Sequence, residues 1–326
     1  LEIFPSFTSS LKKFYKLFVS IVLSLLLVFF LGEVVLRIQS KTDSEEIRYK
    51  KIHCLYGLSE IRLCPNVKDQ FTRKDGKSWD IQTNVLGERI LSEKSETANL
   101  WLIGDSMAMG YGLPSKETPA YYLKSKYNLE TRVIAVDAIG TNGILKLLKE
   151  TLASTKKEDH PKQIYWIWNP SDFIDDTVEK TGLKRYLYPI HFLLARISYL
   201  YRNLLPSPPT NAYTAYGDPI LYPQNHITYN NLKKFFADPS LPQGKISVLF
   251  SWGMSKEGIP DTKDPNYTLA KTFFQEQGVK TIDLRQRTEG LFKEQKQVYI
   301  PNDGHPGPAL AELFADAIAK AFLILP

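Results

Sequence analysis

The run Leu100-Trp101-Leu102-Ile103-Gly104-Asp105-Ser106 decides how this chain is read. Four large apolar residues without polar alternation have the pattern of a strand buried on both faces. The run stops at a glycine and passes into an aspartate and a serine. Outward from it the rhythm repeats: Arg132-Val133-Ile134-Ala135-Val136, Gln163 to Trp168, Lys245 to Phe250 and Val279 to Leu284 are further strand candidates. Helical segments lie between them. One runs from Pro119 to Tyr127, with Thr118 as N-cap and proline at the first helical position. Others are Ile144 to Leu152, Tyr267 to Gln277 and Ala309 to Leu323. Strands alternating with helices predict an α/β fold, a parallel sheet covered on both faces. Trp166 and Trp168 are expected to pack in its layers.

The stretch from Phe173 to Gly244 breaks this rhythm. It is rich in tyrosine and proline, with Pro206, Pro208, Pro209, Pro219, Pro223, Pro239 and Pro242. The expectation is a helix from Pro189 to Leu204 followed by an irregular cap. Inserts this long inside compact domains are usually lids or docking surfaces. Upstream, residues 52–97 read as short strands and turns. Asp75-Gly76 between Gln70-Phe71-Thr72-Arg73 and Ser78 to Thr83 is a hairpin signal.

A composition of 43% hydrophobic and 23% charged residues excludes a disordered or collagen-like chain. Two cysteines are too few for a Cys-ligated zinc cluster, an iron–sulfur site or a disulfide-rich scaffold. The net charge of +6 is small for so long a chain. No basic stripe interleaved with aromatics accompanies it, so no nucleic-acid partner is expected.

Leu17 to Gly32 carries no charge and is mostly Leu, Val, Ile and Phe; Lys12, Lys13 and Lys16 precede it. With Val34, Val35, Leu36 and Ile38 it reads as a membrane anchor contacting lipid through residues 17–38, if Glu33 sits near the headgroups or faces another helix. A cleaved signal peptide and a buried core helix are the rival readings. The lysine excess on the N-terminal flank places the N-terminus in the cytoplasm and the rest outside it, periplasmic or at the cell surface. Cys54 and Cys64, nine residues apart in between, fit a disulfide in that oxidising space. The resulting organisation is an N-terminal tail and anchor over 1–40, a juxtamembrane and hairpin region over 41–97, and an α/β body over 98–326 with its insert at about 173–244.

Ligands of an open parallel sheet bind beyond the carboxyl ends of its strands. Four loops there carry chemistry: Gly104-Asp105-Ser106, the stretch Asp137 to Gly143, Asn169-Pro170-Ser171-Asp172-Phe173, and Asn302-Asp303-Gly304-His305-Pro306 before the last helix. Ser106, just past a strand, can present its hydroxyl and its own N–H to the crevice. A serine needs a base, and His305 is the candidate; Asp303 can hold the far imidazole nitrogen. Gly140 can offer an unobstructed N–H to an oxyanion, with Gly143 as the alternative. Asn169 or Ser171 can add a side-chain donor. Asp105 and Asp172 read as loop-fixing partners. Neither His53 nor any other histidine has enough neighbours to suggest a metal.

These four blocks resemble the SGNH, or GDSL-type, hydrolase family. Gly104-Asp105-Ser106 matches its serine block, Gly140 its glycine, Ser171-Asp172-Phe173 its Asn-Asp block and Asp303-Gly304-His305-Pro306 its Asp/His block. The resemblance covers about residues 98–326. It is nearest to membrane-anchored bacterial members, which often carry an Asn-x-x-Gly-x-Arg turn before the first strand; Asn84-Val85-Leu86-Gly87-Glu88-Arg89 fits. It implies a flavodoxin-like three-layer fold and ester hydrolysis, sometimes acyl transfer involving carbohydrate, without a cofactor. Two departures stand out. The family's oxyanion asparagine aligns with Ser171, or is displaced to Asn169. The aspartate often lies three residues before the histidine, where this chain has Asn302. The expected function is an esterase acting on acylated lipid or carbohydrate. The alternatives are an O-acyltransferase on surface polysaccharide and a non-catalytic glycan-binding or envelope-organising module.

Overall fold

The structure, a computed structural model, describes residues 5–39, 49–73, 75–91, 95–177, 182–204, 221–250, 264–301 and 303–324. They fall in two compact units, Leu1–Lys51 with Leu187–Pro209, and Ile52–Tyr186 with Thr210–Pro326.

The smaller unit begins with helix α1, Pro5–Gln39. Its segment Lys12–Gln39 is long and apolar enough to cross a membrane, and none of its most apolar window is buried. At about 1.5 Å per residue those 28 residues reach roughly 42 Å.

The larger unit opens with two antiparallel hairpins. Strands β1 (His53–Tyr56) and β2 (Glu60–Leu63) pair and are joined by a Cys54–Cys64 disulfide. Strands β3 (Lys68–Thr72) and β4 (Ser78–Gln82) pair on either side of Asp75-Gly76, but the loop is longer than the two residues that signal suggests: Arg73 N–H donates to the Lys77 carbonyl and Gly76 N–H, at a positive φ of 81°, to the Arg73 carbonyl.

The sheet that follows has β5 (Leu100–Gly104), β6 (Thr131–Ala135), β7 (Gln163–Trp168), β8 (Ile246–Phe250) and β9 (Lys280–Asp283). Their spatial order is β6-β5-β7-β8-β9, every pair parallel. Counted within the sheet this is 2-1-3-4-5, the flavodoxin-like order. The fold is therefore a doubly wound α/β/α body. Its helices are the short α2 (Ser106–Met109), α3 (Pro119–Tyr127), α4 (Thr141–Ser154) and α5 (Ser171–Thr177). After these come α6 (Gly182–Ile197) and α7 (Tyr199–Leu204), at least the latter in the smaller unit. The chain returns with α8 (Ile227–Ala237), α9 (Pro265–Glu276), α10 (Arg285–Lys293) and α11 (Pro308–Leu323).

One sheet face is aromatic. Trp101, Trp166 and Trp168 lie wholly buried among Phe235 of α8, Phe274 of α9 and Leu148 of α4. Trp166 sits 4.9 Å from Phe235, ring centroid to centroid, and Trp168 5.8 Å from Phe274. Such pairs contribute about 0.5–1.5 kcal/mol each beyond their burial.

Besides the short α2 and α5, helices α8 and α10 of the body are not among the expected ones. Helix α8 falls within the stretch expected to be irregular, yet it carries Tyr229, Leu232 and Phe235 into the core. Helix α10 buries only Thr288, so it has no apolar stripe to announce it. The helix expected from Pro189 begins seven residues earlier, holds Pro189 in its interior and breaks at Ser198, whose hydroxyl caps α7 through Tyr201 N–H at 3.0 Å. Pro206, Pro208, Pro209 and Pro219 lie outside the described residues.

Within the smaller unit, Glu33 of α1 receives the start of α7. Its carboxylate accepts the Tyr199 and Leu200 N–H groups at 3.0 Å each and the Ser198 hydroxyl at 2.8 Å. Arg37 donates to Glu33 at 2.8 Å and to the carbonyl of Ile197, the last residue of α6. Side chains of α1 thus satisfy backbone groups at the end of one helix and the start of the next, which would otherwise lack intrahelical partners. Of the two conditions set for Glu33, the structure meets the second: it faces another helix.

Candidate active site

The serine block follows from the way β5 ends. Gly104 has φ +147°, and a Cβ there would lie 2.8 Å from the Ile167 carbonyl and 2.9 Å from the Ala108 side chain. Only glycine lets the chain turn between β7 and α2 at this point. Asp105 caps α2 by accepting the Met107 N–H at 2.9 Å. Ser106 then occupies the first helical position, 8% exposed, where its N–H has no intrahelical acceptor.

The histidine loop precedes α11. Tyr299 and Pro306 form an isolated bridge, Ile300 N–H donates to the His305 carbonyl at 2.8 Å, and Gly304 adopts a left-handed φ of 85°. This tight reversal carries His305 to Ser106, 199 residues away: His305 Nε2 and Ser106 Oγ are 2.9 Å apart. The other ring nitrogen, Nδ1, pairs with Asp303 Oδ1. The same oxygen also accepts the His305 backbone N–H at 3.4 Å. Burial works against ionisation of Asp303, but the hydrogen bond from His305 and its charge outweigh it and hold the carboxyl below its ordinary range. Ser106, His305 and Asp303 therefore stand in one hydrogen-bonded line. Asn302 lies outside the described residues.

The loop after β7 is tied to the serine block. Asn169 Nδ2 donates to Asp105 Oδ2 at 3.0 Å, and the Ser171 hydroxyl lies 3.1 Å from the same oxygen and against Asn169 Oδ1. The single proton of Ser171 is thus aimed into the loop, whereas Asn169 carries two N–H groups and spends one on Asp105. Gly140 is the N-cap of α4, so its N–H also stands outside the intrahelical ladder. A Cβ at Gly140 would fall 2.4 Å from Asp176 Oδ1, a close approach that only glycine permits. Gly143 lies in the first turn of α4, its would-be Cβ facing Ile139.

Beneath these loops sits a buried acidic layer. Burial pushes Asp105 above the ordinary carboxylate range, against the bonds from Met107, Asn169 and Ser171 and the charge of His305. Burial together with the charges of Asp105, Asp175 and Asp176 pushes Asp172 up well above it. Among the described residues, Asp105, Asp172 and Asp175 bring carboxylate oxygens within 4.8 Å of one another. Asp105 ties the serine block to the loop after β7 through Met107, Asn169 and Ser171. His53 is engaged elsewhere, 2.6 Å from Asp137 just past β6.

Two residues around the site had no role assigned from the sequence. Arg89, closing the Asn84–Arg89 turn, is buried and donates to four carbonyls: Met109 at 3.0 Å, Gly110 at 2.7 Å, Leu113 at 2.9 Å and Asp80 at 2.6 Å. It locks the loop that leaves α2. The turn motif marked its position, but only the fold reveals which carbonyls it serves. Tyr111 lies against the His305 imidazole, ring centroids 4.4 Å apart, and is backed by Trp79 at 5.3 Å. No periodicity could have flagged it.

No family model matches the chain, and neither does any curated protein. Solved structures similar to it include a member of the lipolytic protein G-D-S-L family from Veillonella parvula, at 16% identity, covering 69% of this chain and 98% of that one with a TM-score of 0.43. A lipase/acylhydrolase from Enterococcus faecalis matches at 14% identity over 68% of this chain and 94% of that one, TM-score 0.41. A psychrotrophic esterase from Pseudoalteromonas sp. matches at 12% identity over 69% and 96%, TM-score 0.36.

Proposed function

We propose that this chain is a membrane-tethered serine esterase of the SGNH/GDSL type. The observation that carries the reading is the line Ser106 Oγ–His305 Nε2–Asp303, with its 2.9 Å contact between residues far apart in sequence. Ser106 Oγ attacks the ester carbonyl while His305 Nε2 takes its proton. Asp303 holds Nδ1–H and steadies the imidazolium. The N–H groups of Ser106 and Gly140 receive the oxyanion. Asn169, with a spare amide proton, is favoured over Ser171 as the side-chain donor. As the tetrahedral adduct collapses, the carbon–oxygen bond of the ester breaks and the imidazolium returns its proton to the leaving alcohol. Water, deprotonated by His305, then cleaves the acyl-serine.

The N-terminus is assigned to the cytoplasm and the body to the extracytoplasmic side, on the three lysines before the anchor and the Cys54–Cys64 bond. The substrate class is an acyl ester of lipid or carbohydrate. The test is turnover of short-chain p-nitrophenyl esters by the full chain in detergent, beside Ser106→Ala and His305→Ala. Hydrolysis abolished in both variants, with unchanged melting, supports the reading; equal hydrolysis by all three proteins refutes it.

A further inference from the structure

We propose that helix α6 is an interfacial membrane helix, lying along the bilayer surface with its apolar stripe in lipid. The stripe is Leu183, Tyr186, Leu187, Ile190, Leu193 and Ile197, each between 51% and 72% exposed. At 100° per residue these six positions fall within an arc of about 120°, on one side of the helix, extending some 21 Å. The opposite side carries Arg185, Tyr188, Phe192 and Arg196. Tyr188 is buried there, and Arg196 donates to the Lys50 carbonyl at 2.7 Å. One face of α6 is thus engaged with protein and the other is a bare run of large, mostly aliphatic side chains.

Three observations identify lipid as the occupant. First, the C-terminus of α6 is fastened to the membrane-crossing helix. Arg37 of α1 holds the Ile197 carbonyl, Glu33 holds the first N–H groups of α7, and Leu200 packs on Gly32, where a Cβ would come within 3.4 Å. Glu33 and Arg37 lie just beyond the uncharged run that ends at Gly32, where α1 leaves the hydrocarbon for the headgroups. Ile197 is therefore held at interfacial depth. Second, Gly182 to Leu204 contains Lys184, Arg185, Arg196 and Arg202 and no acidic residue, a balance that suits anionic headgroups. Third, Tyr186, Tyr188, Tyr199 and Tyr201 populate the same segment, the residue type enriched where membrane meets water. An interfacial helix buries its apolar face about 5–10 Å into the headgroup–acyl boundary, a depth this stripe matches. The inference rests on α1 crossing the membrane and is independent of the esterase chemistry.

The test uses the full chain in vesicles of phosphatidylethanolamine and phosphatidylglycerol. Single cysteines, Ile190→Cys, Leu193→Cys, Arg185→Cys and Leu25→Cys, are labelled without reductant with an environment-sensitive fluorophore and quenched by lipids bearing a nitroxide on the acyl chain. Positions 190 and 193 are expected to emit in the blue and to be quenched roughly threefold or more beyond position 185. Position 25, inside α1, reports whether the chain is in the bilayer at all. Glu33→Ala, with unchanged melting of the body, is expected to lower quenching at position 190. Blue emission at 190 without lipid quenching means a second copy covers the stripe and overturns the proposal. So does water-like emission at 190 and 193 while position 25 is quenched. Loss of quenching at position 25 removes the anchor and the proposal with it.

Discussion

Replacing Asp303 by asparagine isolates the charge behind the imidazole. Asp303 Oδ1 accepts both the His305 ring Nδ1 and the His305 backbone N–H. An asparagine can place its carbonyl oxygen at the same point and keep both bonds, so the tautomer survives and only the negative charge goes. Two unit charges about 4 Å apart interact by ~4 kcal/mol at an effective dielectric near 20. The Asp303 and His305 side chains are 33% and 25% exposed, so solvent screens the pair. Screening that halves the interaction leaves about 2 kcal/mol, against ~4 kcal/mol without it. At about 1.36 kcal/mol per decade, kcat/KM for an activated ester should fall roughly 30- to 1,000-fold. Loss of the tautomer would cost nearer ~10⁴-fold. The assay is initial-rate hydrolysis at neutral pH, with melting curves to establish folding. A folded Asp303→Asn enzyme at wild-type rate would refute the assigned role of Asp303.

Asn169→Ala should lower kcat by about 10²–10³-fold, the cost of one oxyanion donor, while Ser171→Ala costs less than about tenfold; steady-state kinetics of the two variants decide between them. Arg89→Lys should lose roughly 3 kcal/mol through broken charge-assisted bonds to carbonyls, lowering Tm by about 6–12 °C in calorimetry. Gly140→Ala drives a Cβ to 2.4 Å from Asp176 Oδ1 and should destabilise by about 1–3 kcal/mol, read by urea unfolding. Asp172→Asn has the opposite sign. A carboxyl whose folded pKa is raised adds stability at low pH and loses it as pH climbs from its unfolded value of about 3.9 toward the folded one. The variant should therefore melt at or above wild type at pH ~7, with that advantage shrinking toward pH ~4; melting across this range checks it.

The sheet was legible because most of its strands are short, largely apolar runs; β9, with Lys280, Thr281 and Asp283, was legible only from the flanking Val279, Ile282 and Leu284. All five were placed from sequence to within one residue at either end, as Lys280–Asp283 for Val279 to Leu284 illustrates. Thr118 and Pro119 announced α3 by local capping chemistry that needs no tertiary information, and Thr118 Oγ1 accepts the Tyr121 N–H as expected. Helix α8 was hidden among prolines and tyrosines that suggest turns, although Tyr229, Leu232 and Phe235 recur at helical spacing. Helix α10 was hidden because polar residues on every side leave no period to read. At the candidate site, Ser106, Asp303 and His305 stood out by residue type at element boundaries. The choice between Asn169 and Ser171 depends on which hydroxyl or amide proton is already spent on Asp105, a matter of three-dimensional hydrogen bonding. Arg89 and Tyr111 act through carbonyls and a ring that only folding brings to them.

The most direct measurement is the site of covalent modification by a fluorophosphonate, mapped by tandem mass spectrometry on the full chain. One adduct is expected, on the Ser106 hydroxyl, that disappears in Ser106→Ala and forms much more slowly in His305→Ala. A folded protein that resists the reagent, or that takes it on a different serine, would contradict it.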